Sequence, residues 1–140
     1  MKSLVWLRND LRMDDNPALK HACLNSDEVH CLYLYQPDQM KLHNVASCKI
    51  EFIIENLKDL ESSLSKINVP LTVITSKCFD DCPNLIIDVI NKRSIKKVYW
   101  NNQFGFDEQR RDSAVKDVLD RNNIYSESFD DQVIYPPGTI

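Results

Sequence analysis

The chain has 140 residues, the length of one compact domain, and its 43% hydrophobic and 27% charged residues are ordinary for a soluble globular protein. Apolar runs such as Leu4–Leu7 are far shorter than the roughly 20 residues of a membrane-spanning helix, and no signal peptide is visible, so we expect a cytoplasmic protein without membrane contacts. The formal net charge of −4 argues against a surface that binds DNA through its phosphates.

The apolar residues alternate between short dense runs, which are typical of buried strands, and helical spacings. In chain order they predict a strand over 4–7, a helix within 11–24 that begins near Pro17, a strand over 29–35, a long helix over 50–67, a strand over 71–75, a helix over 85–90 opened by Pro83, a strand over 97–100, a helix from near Asp107 and a short strand near Tyr125. Ser47 is the predicted N-cap of the long helix, whose apolar residues from Ile50 to Ile67 form one stripe.

Strands and helices therefore alternate along the whole chain, and the strands are densely apolar. This pattern predicts a single-domain α/β fold: a doubly wound, Rossmann-like, five-stranded parallel sheet in a three-layer α/β/α arrangement. Ligands of such sheets bind beyond the carboxyl ends of the strands. The segments that follow the strands are 8–16, 36–47, 76–81 and 101–108, and these are where we expect a site.

Glycine and cysteine content exclude several kinds of site. With only two glycines the chain cannot contain a dinucleotide-binding fingerprint or a phosphate-binding P-loop, which excludes NAD-dependent dehydrogenases and P-loop NTPases. The five cysteines have no zinc-binding spacing and the three histidines are scattered, so we expect reduced thiols and no metal site.

Arginine and aspartate alternate directly after the first strand. Arg8, Asp10 and Arg12 can connect the strand end to the following helix by charge-assisted hydrogen bonds, and 14–16 can cap that helix. Taken by themselves, these residues favour a structural role.

Four segments, however, resemble motifs of the DNA photolyase and cryptochrome family. They are Trp6-Leu7-Arg8-x-Asp10-Leu11-Arg12-x-x-Asp15-Asn16; His43-Asn44; Asn101-x-Gln103-Phe104-x-x-x-Glu108-x-x-Arg111-Asp112; and Phe129-Asp130-Asp131-x-Val133-Ile134-x-Pro136-Pro137-Gly138. The resemblance spans essentially the whole chain and is greatest to the N-terminal domain of bacterial folate-class deoxyribodipyrimidine photolyases.

The resemblance implies a division of the chain and a function. Residues 1–130 would form the antenna chromophore-binding α/β domain, and 131–140 would begin the connector to a helical FAD-binding domain outside this chain. In the family, the antenna, methenyltetrahydrofolate in the folate class, passes excitation energy to FAD, and the helical domain uses light to repair cyclobutane pyrimidine dimers. This chain alone is then not expected to be catalytic. Its partner would be the helical domain of the same protein, DNA would be reached only through that domain, and the uncovered interface would promote dimers in isolation.

The antenna site that the resemblance implies contains Glu108, His43 and Asp107, with no catalytic residue in this chain. One ionised carboxylate at Glu108 can accept both the 2-amino group and the ring N3–H of a pterin. The family usually has Asn at the position of Asp107. An amide can both donate and accept a hydrogen bond, whereas an ionised carboxylate can only accept one. Acids that open a helix also stabilise its dipole, and a histidine in a loop can be without function. Trp6 and Trp100 are predicted core residues.

Two other functions stay open at this point. One is a cryptochrome-like photoreceptor domain, since the residues that separate the two functions surround the flavin. The other is a free-standing nucleotide- or pterin-binding α/β protein. A deazaflavin antenna in place of folate is also left open.

Overall fold

A computed structural model describes residues 1–130. Its elements in chain order are β1 (Lys2–Leu7), α1 (Pro17–Asn25), β2 (Glu28–Tyr35), α2 (Pro37–Leu42), α3 (Ser47–Ser65), β3 (Leu71–Thr75), a 3-10 turn (Phe79–Asp81), α4 (Cys82–Arg93), β4 (Lys97–Asn101), α5 (Phe106–Arg121) and β5 (Tyr125–Phe129). The connector predicted at 131–140 lies outside the described residues.

The five strands form one sheet in the order β3-β2-β1-β4-β5, and every neighbouring pair is parallel. The register places Val5 of β1 between Cys31 of β2 and Tyr99 of β4. The chain moves outward from β1 to β3 and then crosses back to add β4 and β5 on the other side. The strand order therefore reverses at β1, which confirms the predicted doubly wound α/β fold.

Two apolar clusters lie on opposite faces of the sheet. Helices α1 and α3 supply Ala18, Leu19, Leu60 and Leu64 to one cluster, and α4 and α5 supply residues such as Ile86 to the other. The second cluster also contains Trp6 and Trp100, whose rings meet edge to face with centroids 5.7 Å apart. Both tryptophans are therefore core residues, as predicted.

Helix α3 is buried over only part of its length. Leu57, Leu60 and Leu64 are buried, whereas Ile54 and Ile67 of the predicted stripe are exposed. The 19 residues of α3 extend over roughly 28 Å, while the five residues of its neighbour β3 cover only about 17 Å. The helix is thus longer than the strand beside it, and its apolar stripe is buried in the C-terminal half, from Leu57 to Leu64, and less buried towards the N-terminus.

The predicted N-cap of α3 was wrong. Ser47 is already the first helical residue, and the N-cap position belongs to Ala46, which makes no side-chain cap hydrogen bond. Helix α1, in contrast, is capped within the predicted segment 14–16: Asn16 Oδ1 accepts from the backbone N–H of Leu19 at 3.2 Å. Pro17 follows at the first helical position, where its missing N–H costs nothing.

This difference gives a stability prediction. Asn16→Ala removes a buried cap and is expected to lower the free energy of unfolding by about 1–2 kcal/mol, whereas Ser47→Ala, the matched control, is expected to change it by less than about 0.5 kcal/mol. Urea denaturation of both variants measures the two values. Equal losses would show that Asn16 does not act as a cap.

The described residues contain free thiols in two environments. Cys23 and Cys48 are exposed, whereas Cys31 is fully buried in β2, and burial raises its pKa to about 12. Because only the thiolate reacts, a maleimide at pH about 7.5 should label Cys48 rapidly and Cys31 only after unfolding. Peptide mapping after labelling measures this, and rapid modification of Cys31 in the folded chain would contradict the burial.

Two kinds of feature are absent from the part of the chain that is described. Over residues 1–130 no helix has the length and apolar character to cross a membrane. The same residues bring together no group of three or more His, Cys, Asp or Glu side chains that could bind a metal ion.

Candidate functional site

A cleft of about 250 Å³ opens beyond the carboxyl ends of β1 and β2, next to the point where the strand order reverses. The ends of these strands, residues that follow β1, β2, β3 and β4, and helices α2, α3 and α5 all contribute to its wall. Its lining combines aromatic and polar side chains, among them Trp6, Tyr33, Gln39, His43, Phe79 and Glu108. The cleft therefore lies beyond the carboxyl ends of the strands, which is where doubly wound α/β sheets bind ligands.

Two of the three residues predicted from the motifs, His43 and Glu108, lie at one wall of this cleft, and the third, Asp107, lies beside them. His43, at the end of α2, lies between two carboxylates of α5: its Nε2 is 3.1 Å from Oδ2 of Asp107 and its Nδ1 is 3.6 Å from Oε1 of Glu108. The Glu108 side chain is 20% exposed and that of Asp107 is 46% exposed. His43 and Glu108 line the cleft, whereas Asp107 lies on a second, adjoining depression.

Glu108 projects back over the start of its own helix. A Cβ at Gly105, the N-cap of α5, would lie 1.8 Å from Oε2 of Glu108. The backbone of Gly105 is extended (φ −66°, ψ 155°), which any residue can adopt, so the glycine is needed for space and not for conformation. Asp107 and Glu108 both lie in the first helical turn, where acidic side chains also stabilise the helix dipole.

Helix α2 and its buried Gln39 were not predicted. Pro37 occupies the first turn of this six-residue helix, where its fixed φ is favourable, but in the sequence the same proline indicates only the end of β2. Gln39 Nε2 lies 3.1 Å from His43 Nε2, and Gln39 Oε1 accepts from the backbone N–H of Phe79 at 3.0 Å. The spacing of four residues from Gln39 to His43, directly after Pro37, is the signal that could have indicated this contact.

Two buried arginines share one carboxylate at another wall of the cleft. Arg8 Nη1 donates to Asp112 Oδ1 at 2.6 Å, and Arg111 Nε donates to the same oxygen at 2.9 Å. The two arginine side chains are 5% and 4% exposed. Burial, together with the nearby charge of Arg111, lowers the pKa of Arg8, while Asp112 opposes that shift.

The aromatic rings beside these arginines complete that wall. The guanidinium carbon of Arg8 is 4.4 Å from the ring centroid of Trp6, and that of Arg111 is 5.0 Å from Trp6 and 4.5 Å from Phe79. These are cation–π distances, and desolvation strengthens such contacts. Within residues 1–130, Arg8 Nε is buried without a hydrogen-bond partner.

The first motif also connects β1 to β4 and α1. Asp10 accepts from the backbone N–H of Arg8 at 2.8 Å and from Asn101 Nδ2 at 2.6 Å. Asn101 donates in turn to the cap residue Asn16 at 2.7 Å. The structural role expected for Asp10 is thus observed, whereas Arg8 pairs with the distant Asp112 and not with a carboxylate of its own segment.

Comparison with known proteins identifies the family. The family model described as DNA photolyase matches residues 3–140. The chain is 36% identical over 138 residues to the deoxyribodipyrimidine photo-lyase of Escherichia coli, covering 98% of this chain and 29% of that protein. The chain belongs to the DNA photolyase family. It is also 36% identical over 117 residues to cryptochrome-1 of Spalax judaei, covering 83% of this chain and 19% of that protein.

A solved photolyase-family structure has the same fold. The archaeal photolyase from Sulfolobus tokodaii, described as holding two FAD molecules, superimposes with a TM-score of 0.83 at 22% identity, covering 100% of this chain and 32% of that one. The chain thus spans less than a third of the length of these photolyase relatives. It corresponds to the α/β N-terminal domain of the photolyase and cryptochrome family, as the motifs predicted.

Proposed function

We propose that this photolyase-family domain binds a light-harvesting chromophore, methenyltetrahydrofolate, in the cleft beside Glu108. The observation that carries this proposal is the partly buried carboxylate of Glu108 at the wall of a cleft with aromatic and apolar lining. Apolar walls with a few directed polar groups are typical of small-molecule sites.

The chemistry of the pterin ring matches Glu108. The ring presents a 2-amino group and N3–H side by side, and an ionised carboxylate has two oxygens, each able to accept more than one hydrogen bond. A bidentate, charge-assisted pair of this kind fixes orientation as well as contributing affinity. Glu108 thus serves as the recognition residue, and His43, 3.6 Å from its Oε1, as a neighbour that holds it.

The size of the cleft fits part of the folate. Its volume of about 250 Å³ is slightly below the roughly 300–1,000 Å³ of sites that enclose whole ligands. The pterin ring would therefore be enclosed among Trp6, Tyr33 and Phe79, while the glutamate tail stays outside. Lys49 is exposed on α3 and lines the cleft, so its ammonium group is a candidate partner for the tail carboxylates.

Asp107 has a different role in this proposal. Its carboxylate can only accept a hydrogen bond, and it lies 3.1 Å from the ring of His43. The carboxylate would therefore repel acceptor atoms of the folate. We expect Asp107→Asn to increase the affinity for folate. An amide at this position supplies a donor without a negative charge.

The activity of the whole protein is proposed from the relatives. The E. coli relative is a deoxyribodipyrimidine photo-lyase, and the S. tokodaii structure is described as holding two FAD molecules. We propose that this domain works with a helical FAD-binding domain of the same protein, which binds DNA and repairs cyclobutane pyrimidine dimers in light. The identity to cryptochrome-1 makes a photoreceptor the second candidate, and a dimer-repair assay on the full-length protein distinguishes the two.

Folate binding by the chain itself tests the proposal. Titration of the chain with methenyltetrahydrofolate, followed by fluorescence anisotropy of the folate, should give saturable but weak binding, because the helical domain would close the site in the full protein. A deazaflavin titrated in parallel tests the other antenna. Tight deazaflavin binding without folate binding would overturn the assignment of the chromophore.

A further inference from the structure

The buried amide of Gln39 has a fixed orientation. Its Oε1 lies 3.0 Å from the backbone nitrogen of Phe79, and a backbone N–H can only donate, so the atom that faces it must be the oxygen. The amide nitrogen is then directed to the other side, where it lies 3.1 Å from Nε2 of His43. Gln39 is only 7% exposed, so water does not compete readily for its amide.

This orientation decides where a neutral His43 carries its proton. The amide nitrogen of Gln39 can only donate, so Nε2 of the ring must accept, and the ring proton then belongs on Nδ1. Nδ1 is the nitrogen that faces Oε1 of Glu108, at 3.6 Å. The ring of His43 therefore presents a donor to the carboxylate that recognises the pterin.

Asp107 favours the opposite arrangement. Its Oδ2 lies 3.1 Å from the same Nε2 of His43, and an ionised carboxylate there favours a proton on Nε2. The Asp107 side chain is 46% exposed, however, so it can turn to water at small cost, whereas Gln39 is buried and held by Phe79. The buried, anchored group should prevail over the exposed one.

We propose that Gln39 is a positioning residue of the chromophore site, which fixes His43 as the Nδ1–H tautomer and so holds Glu108 for the ligand. This rests on the proposed folate function. The carboxylate has enough acceptor capacity for His43 and the pterin together. The ring plane is also held by Phe79, whose ring meets His43 edge to face with centroids 5.6 Å apart.

Charged groups from three elements face this part of the cleft. Asp107 and Glu108 contact the ring of His43 from α5, Lys49 lines the cleft from α3, and Arg8 and Arg111 lie at its inner wall. The arginines are paired with Asp112, so the two α5 carboxylates are the groups that respond most directly to the proton position on His43.

The tautomer can be measured without any ligand. Long-range ¹H–¹⁵N spectra of the chain at pH about 8.5, where histidine is neutral, report which ring nitrogen carries the proton. We expect the His43 signals of the unaltered chain to show Nδ1–H and a free Nε2. Gln39→Glu keeps an acceptor for Phe79 but turns the donor into an acceptor, and should move the proton to Nε2. Protonated Nε2 in the unaltered chain would overturn the proposal.

Folate affinity then tests the role in binding. In Gln39→Glu, a neutral His43 faces Glu108 with a lone pair in place of a donor. Folate affinity of this variant at pH about 8.5 should therefore be about tenfold lower than that of the unaltered chain. Gln109→Glu adds the same charge at an exposed position of α5 and is the matched control, expected to behave as the unaltered chain.

Two failures can be told apart. Unchanged folate affinity in a Glu108 variant would contradict the proposed function, and the tautomer spectra would still decide the role of Gln39. If Glu108 variants lose folate but Gln39→Glu binds it as tightly as Gln109→Glu does, the positioning role of Gln39 is wrong and the proposed function stands.

Discussion

Replacement of Asp112 by asparagine is expected to lower the free energy of unfolding by about 3–5 kcal/mol, because it leaves two buried guanidinium groups without their shared anion. Arg8 and Arg111 both donate to Asp112 Oδ1, at 2.6 Å and 2.9 Å, and the carboxylate itself is only 13% exposed. Asparagine keeps the shape of the side chain, so the loss reports the charge and not a cavity. The measurement is urea denaturation of the variant and the unaltered chain at pH about 7.

The control for this variant lies on the same helix. Asp117 is exposed on α5, and Asp117→Asn removes the same charge with an expected change of less than about 0.5 kcal/mol. A loss below about 1 kcal/mol for Asp112→Asn would mean that the two arginines find other partners or water. Asp112 would then not be the group that compensates the two buried guanidinium charges.

Replacement of Glu108 by glutamine is expected to weaken methenyltetrahydrofolate binding by about 10–100-fold. The variant loses a charge-assisted acceptor pair, which corresponds to about 1.5–3 kcal/mol, and its amide presents one donor to a pterin edge that itself donates. Anisotropy titration of the variant and the unaltered chain measures the difference.

Glu61→Gln gives the comparison for Glu108→Gln. Glu61 is exposed on α3 and does not line the cleft, so the folate affinity of Glu61→Gln should equal that of the unaltered chain. Equal folate binding by Glu108→Gln and Glu61→Gln would place the chromophore elsewhere. Glu108 would then be left with the role of a first-turn acid that stabilises the dipole of α5.

Most of the fold followed from local sequence patterns because four strands and most helices carry their own signal. Dense apolar runs predicted β1 to β4, and Asn16-Pro17 predicted the start of α1, whereas β5 contains no apolar run. The six-residue α2 has no such signal, since it is too short for a helical period and begins at a proline that also ends a strand. Ser47 resembled a cap, but capping depends on the dihedral angles at one residue, which the sequence pattern does not determine.

The candidate site was predicted only in part, because several of its contacts join residues that are far apart in the sequence. His43, Asp107 and Glu108 were named from motifs, and the structure brings both carboxylates within hydrogen-bond or ion-pair distance of His43. Partners such as Asp112 for Arg8, 104 residues apart, depend on which strands become neighbours in the sheet. Gln39 was not predicted because its role depends on two contacts together. One is with His43, four residues away, and the other is with the backbone of Phe79, forty residues away.

A ¹H–¹⁵N titration of the chain with methenyltetrahydrofolate shows directly where the chromophore binds. If the cleft is the antenna site, the amide signals that shift on saturation should belong to the end of α2, the first turn of α5 and the residues after β1, with the largest shifts near Glu108 and His43. No shift at a folate concentration that saturates the anisotropy signal, or shifts confined to the opposite, amino-terminal edge of the sheet, would contradict the account.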